Sequence, residues 1–308
     1  MKRQQFITSM ATLASGALAF PVYGKYQSDN IRERKMQTSK PPVIEWNAHL
    51  FSADTQKYPF HEKATYVPDA SRLSSTPLAD YLEHLDQQGI DKAVVVHPEP
   101  YGDDHWLIID AVAQSNGRIK GTTLYYPSDS TAPRKLAALA KSHPDIVATR
   151  FHAHRGKENY LKSFSDPGVR ALWAAAVEHG MIVELHIGPN YAKSATEAIK
   201  DFPGCKVLID HLAEPHMGDA VEYADILKMA DLPNVYMKFS GLAHFADDAP
   251  DFLSGRAFTN QVISAFGVDR MVMGGVSPKT VDLHMEGYSE KDKAKVKGGN
   301  LAELLDWD

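Results

Sequence analysis

The chain has 308 residues, 44% of them hydrophobic and 23% charged, an ordinary composition for a globular protein. Its formal charge is −6, with the acids spread along the chain and no basic stripe, which speaks against nucleic acid as a partner. The single cysteine, Cys205, excludes an internal disulfide, and its place before an apolar run suits an inert buried thiol.

In chain order, the first element is an export signal. Lys2 and Arg3 form a basic head, residues 7–20 a modest apolar run, and Ala17-Leu18-Ala19 a small-residue cleavage site. The head also resembles a twin-arginine leader with Lys for the first Arg. Residues 1–24 are therefore expected to be removed, leaving a periplasmic or secreted protein. The apolar run is too short to cross a bilayer, so no integral membrane span is expected after leader removal. Residues 25–42 are polar and Pro-terminated and read as a tether, with one folded domain over 43–308.

From residue 43 onward, short apolar runs alternate with helical periodicity. The runs at 43–46, 93–96, 121–124, 147–151, 182–185, 207–209, 235–239 and 271–273 show little polar alternation, as strands buried on both faces should. Helical patterns occupy 78–88, 106–116, 133–141, 168–179, 192–202, 220–229 and 257–266, and Gly89, Gly117 and Gly180 act as stop signals. Eight strand-helix units predict an α/β fold of the (β/α)8 TIM-barrel type. A doubly wound sheet is the rival, weakened because no Gly-x-Gly-x-x-Gly turn follows the first strand. Residues 53–76 form a long first loop, expected to cover the barrel mouth.

In such barrels the site lies at the C-terminal ends of the strands. Those ends carry Asn47 and His49, His97, Tyr125 and Tyr126, Arg150 with His152 and His154, His186, Asp210-His211 with Glu214, Lys238 and Ser240, and Gly274-Gly275-Val276. Strand alternation puts residues i and i+2 on one face, so Asn47 and His49 are expected to project together from the end of the first strand. One histidine ending a strand is as readily a hydrogen-bonded rim residue as a ligand. Six together (His49, His97, His152, His154, His186 and His211) point to a site that uses imidazoles. The other eight histidines, in helices or loops, are expected on solvated surface.

Several motifs add to this. Tyr58-Pro59-Phe60 with Ala64–Ala70, Ile209-Asp210-His211-Leu212-Ala213-Glu214-Pro215, Asp269–Gly274 and Gly299-Asn300-Leu301 occur in that order. Through them the chain resembles the amidohydrolase-related family of TIM-barrel metal-dependent hydrolases, near the branch of pyrone-dicarboxylate lactonase and the sugar lactonases. The resemblance runs from Pro42 to the end. It implies metal ligation by His49 and His186, a catalytic role for His211 on the substrate carbonyl, a carboxylate grip by Arg150 and a substrate-facing Tyr66. It also implies a divalent metal such as Zn2+. Two departures leave that metal site incomplete: Asn47 stands in the family's His-x-His pair, and Val276 replaces the water-activating aspartate. Without a metal no cofactor is expected. Glu214 replaces an arginine of the pyrone-dicarboxylate enzyme, which disfavours a tricarboxylate-like substrate.

His211 near neutrality can act as acid or base, and Arg150 and Lys238 can meet an anion or an oxyanion. His152 and His154 form a basic rim pair, or a relocated acid/base site. Tyr66, His152, His154, Lys238 and Glu214 are the substrate-binding candidates. Glu184 is expected to pack inside the barrel or pair with Lys238. The expected function is hydrolysis of a lactone, ester or amide of a small, carboxylated or sugar-derived molecule. The alternatives are a lyase or decarboxylase on the same barrel, and a binding protein that has lost its metal. The sequence sets no oligomeric state.

Overall fold

The protein is described by a computed structural model over residues 41–153 and 161–307. The expected export signal, the expected tether up to residue 40, and His154 lie outside these residues.

Eight strands form one sheet in chain order, each parallel to the next: β1 Ile44–Trp46, β2 Lys92–Val95, β3 Ile119–Leu124, β4 Ile146–His152, β5 Ile182–His186, β6 Val207–Ile209, β7 Val235–Phe239 and β8 Met271–Met273. The last strand returns to the first. A Cβ on Gly274 would stand 2.2 Å from the Trp46 carbonyl oxygen, so only glycine lets the two backbones approach. Beside it, the Gly275 N–H donates to Glu45 Oε2 at 2.8 Å. Sequential parallel strands joined by helices and returning on themselves form the TIM barrel that the sequence pattern predicts.

One main helix follows each of the first seven strands: α1 Pro77–Gln88, α2 Trp106–Gln114, α3 Ala132–Ser142, α4 Pro167–Glu178, α5 Ala192–Asp201, α6 Ala220–Lys228 and α7 Arg256–Phe266. Three shorter ones close the chain: α8 Pro278–His284, α9 Glu290–Ala294 and α10 Asn300–Leu305. Local chemistry sets their ends. Pro77 opens α1 and Gly89 ends it at φ 65°. Asp219 and Glu222 form a reciprocal capping box on α6.

Alternation divides the core. Ile44, Trp46, Val94, Val96, Ala148, Ile182, Leu208 and Val272 pack together inside the barrel, joined by Leu301, Leu304 and Trp307 of the closing segment. The intervening strand residues pack outward with the helices. Lys92 and Lys120 each stand 5.1 Å from the Trp307 ring.

Two sequence expectations need correction. His105 and His284 are buried, not solvated. The His105 ring lies against the Leu124 backbone, and His284 meets Thr259 Oγ1 at 2.8 Å and the Asp251 carbonyl at 2.9 Å. The first strand also stops at Trp46, so alternation does not reach Asn47 and His49. β4, in contrast, runs on to His152, which pairs in register with His186. Among the described residues no helix is long and apolar enough to cross a membrane.

Gly274→Ala should destabilise the fold by about 2–3 kcal/mol through overpacking at the β8–β1 seam. Urea unfolding measures it; an unchanged midpoint would contradict this closure.

Candidate active site

The site is built on a layer of buried charge. Trp46 supplies the floor, with Lys238 Nζ 5.8 Å from its ring. Lys238 pairs with Glu184 at 2.5 Å and with Asp210 at 2.6 Å. Arg150 donates through Nε and Nη2 to Asp210 Oδ2 at 2.9 and 2.6 Å. None of these four residues is more than 5% exposed. Burial, and then the charge on Asp210, pushes the Glu184 carboxyl upward. For Asp210, burial works the same way but is outweighed by Lys238 and Arg150, which hold it well below the usual carboxylate range. The Glu184–Lys238 pair expected from the sequence is present. Arg150 and Lys238 are committed to these carboxylates.

Arg150 also sets the next layer. Its Nη2 lies 2.7 Å from His186 Nδ1, and a guanidinium only donates, so that nitrogen accepts. The His186 proton then sits on Nε2 and is donated to Glu214 Oε1 at 2.6 Å. Glu214 Oε2 meets His244 Nδ1 at 2.6 Å and His216 Nδ1 at 3.5 Å. Glu214 is 1% exposed, whereas the His244 and His216 side chains are exposed by 41% and 42%.

The backbone that delivers these groups is unusual. His211, Leu212, Ala213 and Glu214 all have φ between 48° and 59°, a left-handed turn of four non-glycine residues. At about 1–2 kcal/mol each, such a run persists only when its surroundings fix it. The Tyr223 hydroxyl donates to the Leu212 carbonyl at 2.7 Å, and the His211 N–H donates to Ser240 Oγ at 3.2 Å. Gly241 leaves room for the turn, since a Cβ there would stand 2.6 Å from His211 Cβ. The turn closes with the Glu214 N–H donating to the His211 carbonyl, and it brings His211, His186 and Glu214 together with donor atoms within 4.8 Å.

His211 stays neutral at pH 7. Burial lowers its pKa well below the ordinary value, Asp210 opposes this, and Lys238 and Arg150 add to it. Its Nδ1 lies 2.9 Å from Ser240 Oγ. That oxygen also accepts the His211 backbone N–H, and when its own hydroxyl proton goes to Nδ1 the ring proton lies on Nε2.

The other predicted residues separate. Asn47 and Val276 share a groove with Tyr81 and His84, between α1 and the β8–β1 seam. His49 is exposed, its Nδ1 on the Val96 carbonyl at 2.8 Å, and crowding followed by the Arg150 charge lowers its pKa. His152 is buried, edge-on to the His186 ring at 4.4 Å. His97 leaves the cluster: it meets the Gly102 carbonyl at 2.9 Å and packs at a tilt against the His105 ring at 4.4 Å. Tyr66 is exposed on the first loop, whose Thr65 N–H donates to Glu99 Oε1 at 3.0 Å. Asp282 pairs with Lys297. Sequence reading missed His216 and His244. The signal was available in Glu214-x-His216 and in a histidine four residues beyond Ser240.

The amidohydrolase family model matches residues 44–275. The chain belongs to the amidohydrolase family. This amidohydrolase is 26% identical over 268 residues to the 4-sulfomuconolactone hydrolase of Hydrogenophaga intermedia, covering 86% of this chain and 82% of the relative. A structure from Acinetobacter baumannii, described as a probable 2-pyrone-4,6-dicarboxylic acid hydrolase with citric acid bound, superposes with a TM-score of 0.70. Identity is 20%, and the match covers 86% of this chain and 99% of that one. A Burkholderia multivorans amidohydrolase with bound zinc gives 0.65 at 15% identity, over 87% and 100% of the chains.

Amidohydrolases are typically metal-dependent, and this amidohydrolase has two groups of His and Glu able to hold an ion among its described residues. Their chemistry differs. A neutral histidine that binds metal through one nitrogen donates its proton from the other. His186 cannot do so, because Arg150 already donates to its Nδ1. His49 belongs to neither group, and Asn47 and Val276 line a different groove. The residues present do not fit an ion shared by His49 and His186. Glu214, His216 and His244 form the other group.

His105 gives a pH prediction. Burial holds its pKa down to about 4, so the folded protein keeps it neutral while the unfolded chain takes up a proton near pH 6.5. Stability is then complete above pH 6.5 and is lost as pH falls towards 4. His105 alone costs about 2 kcal/mol by pH 5, and the buried neutral His97 and His211 act in the same direction. Urea midpoints equal at pH 7 and pH 5 would refute this.

Proposed function

We propose that this amidohydrolase hydrolyses a small lactone at the barrel mouth, with Glu214 and His244 as the base pair that activates water. The carrying observation is the 2.6 Å contact between buried Glu214 and half-exposed His244. A carboxylate on Nδ1 fixes the imidazole tautomer, raises its basicity and leaves the lone pair on Nε2.

The reaction follows from these groups. His244 Nε2 takes a proton from water as the oxygen attacks the lactone carbonyl. The charge developing on the carbonyl oxygen meets His211 Nε2–H, a neutral donor held by Ser240. The ring C–O bond breaks, and His244 returns its proton to the leaving alkoxide, giving a hydroxy acid. Arg150 acts as a positioning residue: it locks His186, which orients Glu214. An ion bound among the mouth histidines would polarise a carbonyl or lower the pKa of a water.

Both relatives' names carry a lactone or pyrone, which supports the substrate class. Glu214 adds negative charge at the mouth and the buried cations are already paired, so a singly charged or neutral lactone suits it better than a polyacid. The leader-like N-terminus supports a periplasmic or secreted location. The base pair at the mouth supports catalysis over a purely binding role.

The test is a lactone panel with purified protein. His244→Ala and Glu214→Gln should each lower kcat/KM by about 100-fold or more. His211→Ala should lower kcat by about 100–1000-fold. A parent inactive on all the lactones, or a fully active His244→Ala variant, would overturn the reading.

A further inference from the structure

We propose that Glu214, His216 and His244 form a divalent-cation site, displaced from the position the family pattern implies and suited to zinc. Glu214 is a carboxylate 1% exposed, yet no lysine or arginine lies within 4.0 Å of it among the described residues; its ion-pair partners are His186, His216 and His244. A buried charge needs compensation; Arg150 acts on Glu214 only through space, and the imidazoles in contact supply the rest, either as protonated cations or as co-ligands of a metal.

The geometry favours co-ligands. Oε1 is taken by the His186 N–H, which leaves Oε2 facing two Nδ1 atoms. The three donor atoms lie within 4.8 Å of one another. With bonds of about 2.0–2.1 Å, a tetrahedral ion holds its ligand atoms about 3.3–3.4 Å apart. The 3.5 Å between His216 and Glu214 already matches. His244, on an exposed turn after β7, must withdraw by less than about 1 Å from its hydrogen-bonded position. The turn and Pro215 fix Glu214 and His216 relative to each other, and the exposure of both imidazoles leaves a fourth position to water. Two nitrogens and one oxygen select zinc over magnesium or calcium, which prefer all-oxygen shells.

The inference stands on this geometry and not on the lactone reaction. An ion on His244 Nδ1 obliges that ring to keep its proton on Nε2, so the loaded and metal-free proteins cannot share a base.

The experiment strips the full chain of metal and titrates it by calorimetry with Zn2+ and by visible absorption with Co2+, without substrate. One equivalent should bind, with the intense bands of tetrahedral cobalt. His216→Ala and His244→Ala should each weaken zinc binding by about 100-fold or more, and His49→Ala should leave it unchanged. His216 is exposed, so its loss spares the fold. No saturable binding, loss of binding in His49→Ala, or unchanged binding in both His216→Ala and His244→Ala would overturn the proposal. A protein inactive on lactones that still binds zinc with this pattern would leave it standing.

Discussion

The mouth of this barrel depends on one guanidinium. Arg150 is always protonated and has no acceptor, so every atom it touches must be a lone pair. It neutralises Asp210 on one side and fixes the tautomer of His186 on the other. That choice propagates: His186 must donate, Glu214 Oε1 must accept, and only Oε2 is left for His244 and His216. A buried ion pair of this kind is weak support for stability, since desolvation offsets much of the Coulomb attraction. Its effect here is on direction, dictating which nitrogen of which ring carries a proton.

Charge is spread unevenly around the barrel mouth. The β8–β1 seam is a packing joint. Glu45 there is tied to the Tyr81 hydroxyl and the Gly275 N–H, and Asn47 and Val276 face the groove beside it. Charge and imidazole instead collect across β4 to β7, where Arg150, Glu184, Asp210, Lys238, His211 and Glu214 meet.

The fold was legible because its signals are local and repeated. Apolar runs without alternation and glycine stops each report on a few residues, and eight repeats leave little freedom in topology. The site was legible in part. The strand-end reading placed His186, His211, Arg150 and Glu214 near one another, and the structure brings them together. Three things were hidden. β1 ends at Trp46 with its apolar run, and nothing in Asn-Ala-His shows that Asn47 then lines the seam groove while His49 meets the Val96 carbonyl. The pairing of Arg150 and Lys238 with Asp210 depends on neighbours across the barrel, so only the Glu184–Lys238 contact was open to sequence reading. His244 lies beyond its strand, in a turn whose path only the packing of β6 against β7 decides. His105 and His284 misled for a related reason: a polar ring at a helix end reads as surface unless its backbone acceptors are known.

The left-handed turn has a further meaning. Its four residues together hold about 4–8 kcal/mol of backbone strain relative to ordinary conformations, and the Tyr223, Ser240 and Gly241 contacts keep it in place. That strain is met during folding, before any small molecule arrives. A ligand entering the mouth finds His211 and Glu214 already set and gives up none of its binding free energy to arrange them. The peptide's handedness is thus a form of stored affinity, and its worth would show as a lower entropic penalty on binding.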